Sequence, residues 1–207
     1  MIRNLNKLTF SGYGKVLQDR LPNRGFPQGD TWQETFWTIT DQERQLRRLQ
    51  SGEELYSRSN ASAHLTASAW VVSPERKQVL MAYHNLYDSW AWLGGHADGD
   101  HDLLGVALRE VREESGLTDV RSLSDHIYSL EILTVDGHEK HGEYVSSHLH
   151  LNVTYLLEAD PAVPVRCKPD ENSRVGWFAL EDAVTASSES WFRERIYNKL
   201  NEKLRNF

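Results

Sequence analysis

One cysteine, Cys167, stands in 207 residues, so no disulfide can form within the chain, and the composition fits a reducing compartment. No run of about 18 apolar residues occurs, which argues against a membrane-spanning helix. The opening Met1-Ile2-Arg3-Asn4-Leu5-Asn6-Lys7 lacks the apolar core of a secretory leader, and the expected location is the cytoplasm. Basic excess is lacking too: 23 Lys and Arg stand against 30 Asp and Glu, a formal net charge of −7. A general nucleic-acid or membrane binder needs a basic face, so neither partner is expected. A polyphosphate partner remains compatible with this charge if metal ions neutralise the site locally. Internal repeats and low-complexity tracts are absent. What is plentiful is core-forming material: 39% of residues are hydrophobic and seven are Trp. A globular chain follows, with one ordinary domain plus an extension or two small domains.

Residues 1–60 read as the extension and 61–207 as the main domain. Gly12, Gly14, Pro22, Gly25, Pro27 and Gly29 punctuate the first 39 residues, with Tyr13, Phe26, Trp32, Phe36 and Trp37 between them. Such punctuation predicts short strands and turns, with a structural role. Thr40-Asp41-Gln42-Glu43 reads as a capping box opening a surface helix that Gly52 ends or interrupts. From His64 onward, strands are expected at Leu65–Val72, Lys77–His84, Trp90–Leu93, Tyr128–Val135, Ser146–Glu158 and Val175–Ala179. Asp136–Glu143 reads as a loop and Glu181–Thr185 as a helical turn. In the longest strand Leu149, Leu151, Val153, Tyr155 and Leu157 face one way, and His148, His150, Asn152 and Thr154 the other. Helices are expected at Asp102–Ser115, with Leu104, Leu108 and Val111 forming its apolar face and Leu103 and Ala107 at its edges, and at Glu189–Leu204, with Trp191, Phe192, Ile196, Leu200 and Leu204 inward.

The chemistry concentrates in Gly95–Leu117. Glu110, Glu113 and Glu114 fall at i, i+3 and i+4, one face of a helix. Three carboxylates on one face repel one another unless a positive charge sits between them. A hard divalent cation such as Mg²⁺ or Mn²⁺ suits an all-oxygen donor set.

This stretch resembles the Nudix box, G-x5-E-x7-R-E-U-x-E-E-x-G-U, where U is a bulky aliphatic residue. Gly95, Arg109, Glu110, Val111, Glu113, Glu114, Gly116 and Leu117 match its positions, and His101 replaces its first Glu. The resemblance extends over about residues 61–207. It implies an α/β/α sandwich with a mixed sheet, the box forming a loop-helix-loop. It also implies a Mg²⁺-dependent hydrolase (Mn²⁺ as the alternative ion) of a phosphoanhydride in a small-molecule nucleoside diphosphate linked to another moiety, and it allows a homodimer. In the family, Glu110, Glu113 and Glu114 would hold metal with the Gly94 carbonyl, and Arg109 would orient Glu110 through a salt bridge. A glutamate outside the box often completes the site. Glu171, in Asp170-Glu171-Asn172-Ser173, is the first candidate as base or metal ligand, and Glu143 the second.

His101 is the departure that matters. A neutral imidazole offers one acceptor nitrogen and cannot brace Arg109 as a carboxylate would. Asp100 and Asp102 flank it as substitutes. The alternative function is a catalytically weakened, or non-catalytic, nucleotide-binding module. The substrate is not specified. The NADH-pyrophosphatase and coenzyme A arrays are missing, as are the ADP-ribose pyrophosphatase proline, a clear dinucleoside-polyphosphate hydrolase tyrosine and the isomerase cysteine before the box. Tyr83, His84, Tyr87, Trp90 and Trp92 could stack a base, although core or rim packing is the plainer reading. His138, His141, His148, His150 and His96 form an unusual cluster in sequence. Zinc needs three or four ligands at defined spacing, so His148 and His150 are expected to line the site face or meet solvent.

Overall fold

The computed structural model describes residues 43–207, apart from 46 and 141. The expectations for residues 1–39, and for the cap at Thr40–Gln42, lie outside the described residues. Residues 43–45 and 47–50 are helical, and buried Gln45 ties this stretch to the domain by donating to the Glu131 carbonyl at 2.8 Å.

Ten strands follow: β1 (Ala63–Val72), β2 (Gln78–His84), β3 (Ser89–Ala91), β4 (Leu93–His96), β5 (Val120–Ser122), β6 (Ser129–Val135), β7 (His138–Lys140), β8 (Glu143–Val145), β9 (His148–Ala159) and β10 (Asn172–Ala179). The main sheet runs β10-β2-β1-β9-β5, with β3 on β2, β4 on β1 and β6 on β9. It is mixed: β1 and β9 run parallel from Ala63↔Leu149 to Val72↔Glu158, and β1 is antiparallel to β2 and β4.

Strand alternation sends side chains to both faces, and both faces are covered. Leu65, Ala67, Ala69 and Val71 of β1, with Leu151, Val153, Tyr155 and Leu157 of β9, pack beneath helix α1 (Leu103–Ser115). Trp70, Val72 and Leu156 pack on the other side with Ile196, Tyr197, Leu200 and Leu204 of the C-terminal helices. The result is an α/β/α sandwich. That is why β1 is buried along its whole length. It also covers the polar face of β9: His148, Asn152 and Thr154 are buried. His148 and His150 therefore lie on the face opposite α1 rather than facing solvent.

Three local expectations are corrected. The apolar face of α1 is rotated: Leu103, Val106, Ala107 and Val111 are buried, while Leu104 and Leu108 are only partly covered, because the face also carries Glu114 to the sheet. The polar segment after β6 is not all loop but a hairpin, in which Glu139 pairs with Tyr144. The C-terminal helix is interrupted. After α2 (Leu180–Ala186) come α3 (Ser190–Phe192), a π-helical turn (Arg193–Tyr197) and α4 (Asn198–Arg205). The π turn inserts one residue into the repeat. Ile196 and Tyr197 are both buried as a result, whereas Trp191, expected inward, is exposed.

Candidate active site

Helix α1 is anchored at both ends by local chemistry. Asp102 accepts from the Gly105 amide at 3.0 Å as its N-cap. Gly116 closes it in the left-handed region at φ 73°, its N–H donating to the Arg112 carbonyl at 2.9 Å. The last turns then present Glu110, Glu113 and Glu114 toward the glycine pair of β4.

That pair is glycine for a steric reason. A Cβ on Gly95 would meet the Glu110 carboxylate at 2.5–2.8 Å, and one on Gly94 would meet Ala67 and Ser68 of β1 at 2.6 Å. The absent side chains let helix and strand approach. Glu114, only 5% exposed, uses this closeness: its Oε1 accepts from the Gly94 N–H at 2.9 Å.

Glu171 comes to the same place from the segment before β10. Its backbone amide donates to the Lys168 carbonyl and its carbonyl accepts from Asn85. Lys168 stands between acids, with Nζ 3.2 Å from Glu113 and 3.1 Å from Glu171. Buried Asn172 locks this segment to the helix end. Its Nδ2 donates to the Glu114 carbonyl at 3.1 Å and its Oδ1 accepts from the Lys168 amide at 3.0 Å. Glu143, by contrast, is exposed on β8, opposite Lys140 in the small hairpin.

Electrostatics follows from this crowding. Burial, reinforced by the charges of Glu110 and Glu171, pushes Glu114 up to about 8, against the pull of the Gly94 N–H and Lys168. Burial also raises Glu110, opposed by Arg109 and assisted by Glu113 and Glu171. Burial works against the Lys168 charge, but Glu171 and Glu113 outweigh it and hold the ammonium above its usual value. A cluster of acids that resists full ionisation, with one member deep against a glycine turn, fits a hard divalent cation. Glu110, Glu113, Glu114 and Glu171, with the adjacent Gly94 carbonyl, are the residues that could hold it.

Arg109 lies 3.2 Å from Glu110, 3.6 Å from Asp100 and 3.8 Å from Glu113. The carboxylate that meets Arg109 from the loop is thus Asp100, while Asp102 serves as the helix cap. His101 has turned away. It is exposed and stacks on Tyr56, ring centroids 3.8 Å apart. The Arg174 guanidinium lies over Tyr83 at 4.1 Å and Trp90 at 5.2 Å, so these rings are already engaged. Sequence reasoning missed Lys168 and Asn172. Their only local signal is Lys168 three residues ahead of Glu171.

The sequence matches the model of the NUDIX domain over residues 63–200. Comparison with curated proteins found no match. Solved structures share the fold. A C. elegans Ap4A hydrolase in binary complex is 20% identical, with 69% of this chain and 98% of that one covered and a TM-score of 0.52. The E. coli dihydroneopterin triphosphate pyrophosphohydrolase is 15% identical, covering 74% and 100%, at 0.52. A Nudix hydrolase from M. Smegmatis, RenU, is 15% identical, covering 70% and 87%, at 0.51.

Proposed function

The chain belongs to the Nudix family, and from that premise we propose that it is a Mg²⁺-dependent hydrolase of a phosphoanhydride bond. Its substrate would be a nucleoside diphosphate linked to another moiety. The observation that carries this reading is the convergence of Glu110, Glu114 and Glu171 by the Gly94-Gly95 turn, where burial, reinforced by the charges of Glu110 and Glu171, pushes Glu114 up to about 8. Both the C. elegans and the E. coli relatives are named for phosphoanhydride substrates, which agrees with it. Nucleic acid and membrane remain unexpected as partners on the acidic charge balance, and no helix among the described residues is long and apolar enough to cross a membrane.

When bound, Mg²⁺ supplies charge neutralisation on the phosphate oxygens and a more acidic water. Glu110, Glu113 and Glu114 would hold it, and Arg109 would orient Glu110 through its contact at 3.2 Å. Glu171, with 43% of its side chain exposed and Lys168 beside it, would accept the proton of an attacking water. The water oxygen adds to phosphorus, the anhydride P–O bond breaks, and the bridging oxygen departs with the electron pair on the second phosphate.

The test is a screen of nucleoside diphosphate derivatives with Mg²⁺ and with Mn²⁺, reading phosphate released after a coupled phosphatase. We expect turnover by the natural sequence. Absence of turnover on every compound, with tight binding of one, would instead support the non-catalytic module.

The same assay probes the bracing of Arg109. The Arg109–Asp100 pair is 40% and 45% exposed, and such pairs contribute about 0.2–1 kcal/mol. Asp100→Asn should therefore lower kcat by at most about 5-fold, and His101→Glu in that background should recover most of it. His101→Glu alone should change kcat little. A requirement for His101→Glu before any turnover appears would identify the natural site as a weakened one.

A further inference from the structure

On the sheet face opposite α1, four imidazoles meet. Parallel pairing of β1 with β9 sets His64 beside His150, antiparallel pairing of β1 with β4 sets His96 beside Thr66, and His148 lies two residues from His150 on the same face. His64 is separated by 4.9–5.1 Å, centroid to centroid, from the rings of His96, His148 and His150. One ring nitrogen each from His64, His96 and His150 lie within 4.8 Å of one another. The Nε2 of His150 is 3.3 Å from the Nε2 of His96 and 3.1 Å from that of His148.

Hydrogen bonding fixes which nitrogens carry protons. The Nδ1 of His64 meets the Asn60 carbonyl at 3.1 Å, and the Nδ1 of His148 meets the Ser146 carbonyl at 2.8 Å. A carbonyl only accepts, so each Nδ1 carries hydrogen, and each neutral ring turns a lone pair on Nε2 inward. The Nε2 of His64 is buried with no hydrogen-bond partner, an arrangement that costs about 1–3 kcal/mol unless something else satisfies it. The Nε2 of His150 faces those of His96 and His148 and carries either one hydrogen or one lone pair. Proton bookkeeping therefore leaves the buried Nε2 of His64 with a lone pair that no described group meets, within 4.8 Å of ring nitrogens of His96 and His150.

We propose that His64, His96 and His150, with His148 packed beside them, form a binding site for a zinc-class transition-metal ion, separate from the carboxylate cluster of the box. Imidazole nitrogen suits Zn²⁺, whereas Mg²⁺ prefers oxygen. Zinc–nitrogen distances of about 2.0–2.1 Å in a tetrahedron place ligand nitrogens roughly 3.3–3.4 Å apart. The observed 3.3 Å between the Nε2 atoms of His96 and His150 is that edge length, and a ring nitrogen of His64 lies within 4.8 Å of both residues' ligand nitrogens. The backbone carbonyls on the Nδ1 atoms of His64 and His148 are the outer partners that metal-ligating histidines ordinarily use. The site ties β1, β4 and β9 together one residue beyond the Gly94-Gly95 turn, so its metal steadies the turn against which Glu110 and Glu114 rest.

The full chain, stripped with a chelator and dialysed, is titrated with Zn²⁺ against a chromophoric competitor and with Co²⁺ in the visible range. One tight equivalent of Zn²⁺ per chain and an intense tetrahedral Co²⁺ spectrum are expected. In His150→Ala and His64→Ala the affinity should fall by at least about 100-fold, beyond the 10–100-fold typical of losing an outer partner. Glu114→Gln should retain the equivalent. A tight equivalent lost in Glu114→Gln but kept in His150→Ala would overturn the proposal by placing the ion in the box. Absence of tight binding to the natural chain overturns it as well. His96→Asn, at a partly exposed ligand, carries the same test should circular dichroism show either alanine variant unfolded.

Discussion

Glu114→Gln should lower kcat on the best substrate by about 10²–10³-fold, the scale on which loss of one charge-stabilising group slows an enzyme, while leaving a folded domain. The amide oxygen of Gln can still accept the Gly94 N–H that Glu114 accepts at 2.9 Å, and volume is unchanged in a site only 5% exposed. What disappears is the charge. Stability should move the opposite way from activity. Glu114 rises from 4.5 to about 8 in the folded chain, so the fold holds this proton more tightly than the unfolded chain does. Its stability is fully present below the unfolded value and is lost as pH climbs toward 8, a shift equivalent to roughly 4–5 kcal/mol. Without divalent metal, the variant should therefore be more stable than the natural chain at pH 8, and the difference should shrink toward pH 5. Mg²⁺ should stabilise the natural chain and affect the variant less. Denaturation midpoints at the two pH values, with and without Mg²⁺, check both signs. A kcat within about threefold of the natural value would remove Glu114 from the metal site.

The parts of this site that were legible in sequence are those made by near neighbours. The i, i+3, i+4 acids depend on local geometry, and their positions follow the helical repeat; Asp102, expected as a substitute brace beside His101, instead caps the helix. Gly94 and Gly95 needed only the knowledge that strand and helix must approach there. Lys168 and Asn172 were opaque because nothing in their vicinity reveals a partner 55 or 58 residues away. The same holds for His64. Alone in an apolar strand it reads as core, and only the parallel pairing of β1 with β9 gives it His150 as neighbour. Alternation correctly divided β9 into apolar and polar faces, but could not reveal that a second layer covers the polar one. The π turn at Arg193–Tyr197 escaped for a different reason. Both 3.6-residue periodicity and the π insertion place Ile196, Leu200 and Leu204 inward, so the pattern does not distinguish them until Tyr197 and Trp191 are seen.

The covered polar face carries the largest expected effect on stability. Glu131, 3% exposed, accepts from Ser129 Oγ at 2.5 Å, Thr154 Oγ1 at 3.0 Å, Asn152 Nδ2 at 3.1 Å and Lys199 Nζ at 2.8 Å. Asn152 in turn accepts from Thr66 and Ser68, so one carboxylate organises β1, β6, β9 and α4. Burial alone would raise Glu131, but the Lys199 charge and the donated hydrogen bonds outweigh it and hold the carboxylate below its usual value. A depressed carboxylate contributes stability above its unfolded value and loses it as pH falls through the folded one. Lys199→Met keeps the apolar stem and removes the charge, stranding a buried anion. Such a change costs about 3–5 kcal/mol, a fall of roughly 6–20 °C in Tm for a domain of this size. In the variant the sign reverses: Glu131 now favours its proton, so the folded state regains stability as pH falls, and the gap to the natural chain should close between pH 7 and pH 4. Glu131→Gln combined with Lys199→Met should recover much of the loss, since no buried charge then lacks a partner. A Tm gap that is unchanged across this pH range, or not reduced by Glu131→Gln, would mean that Lys199 acts through packing rather than by neutralising Glu131.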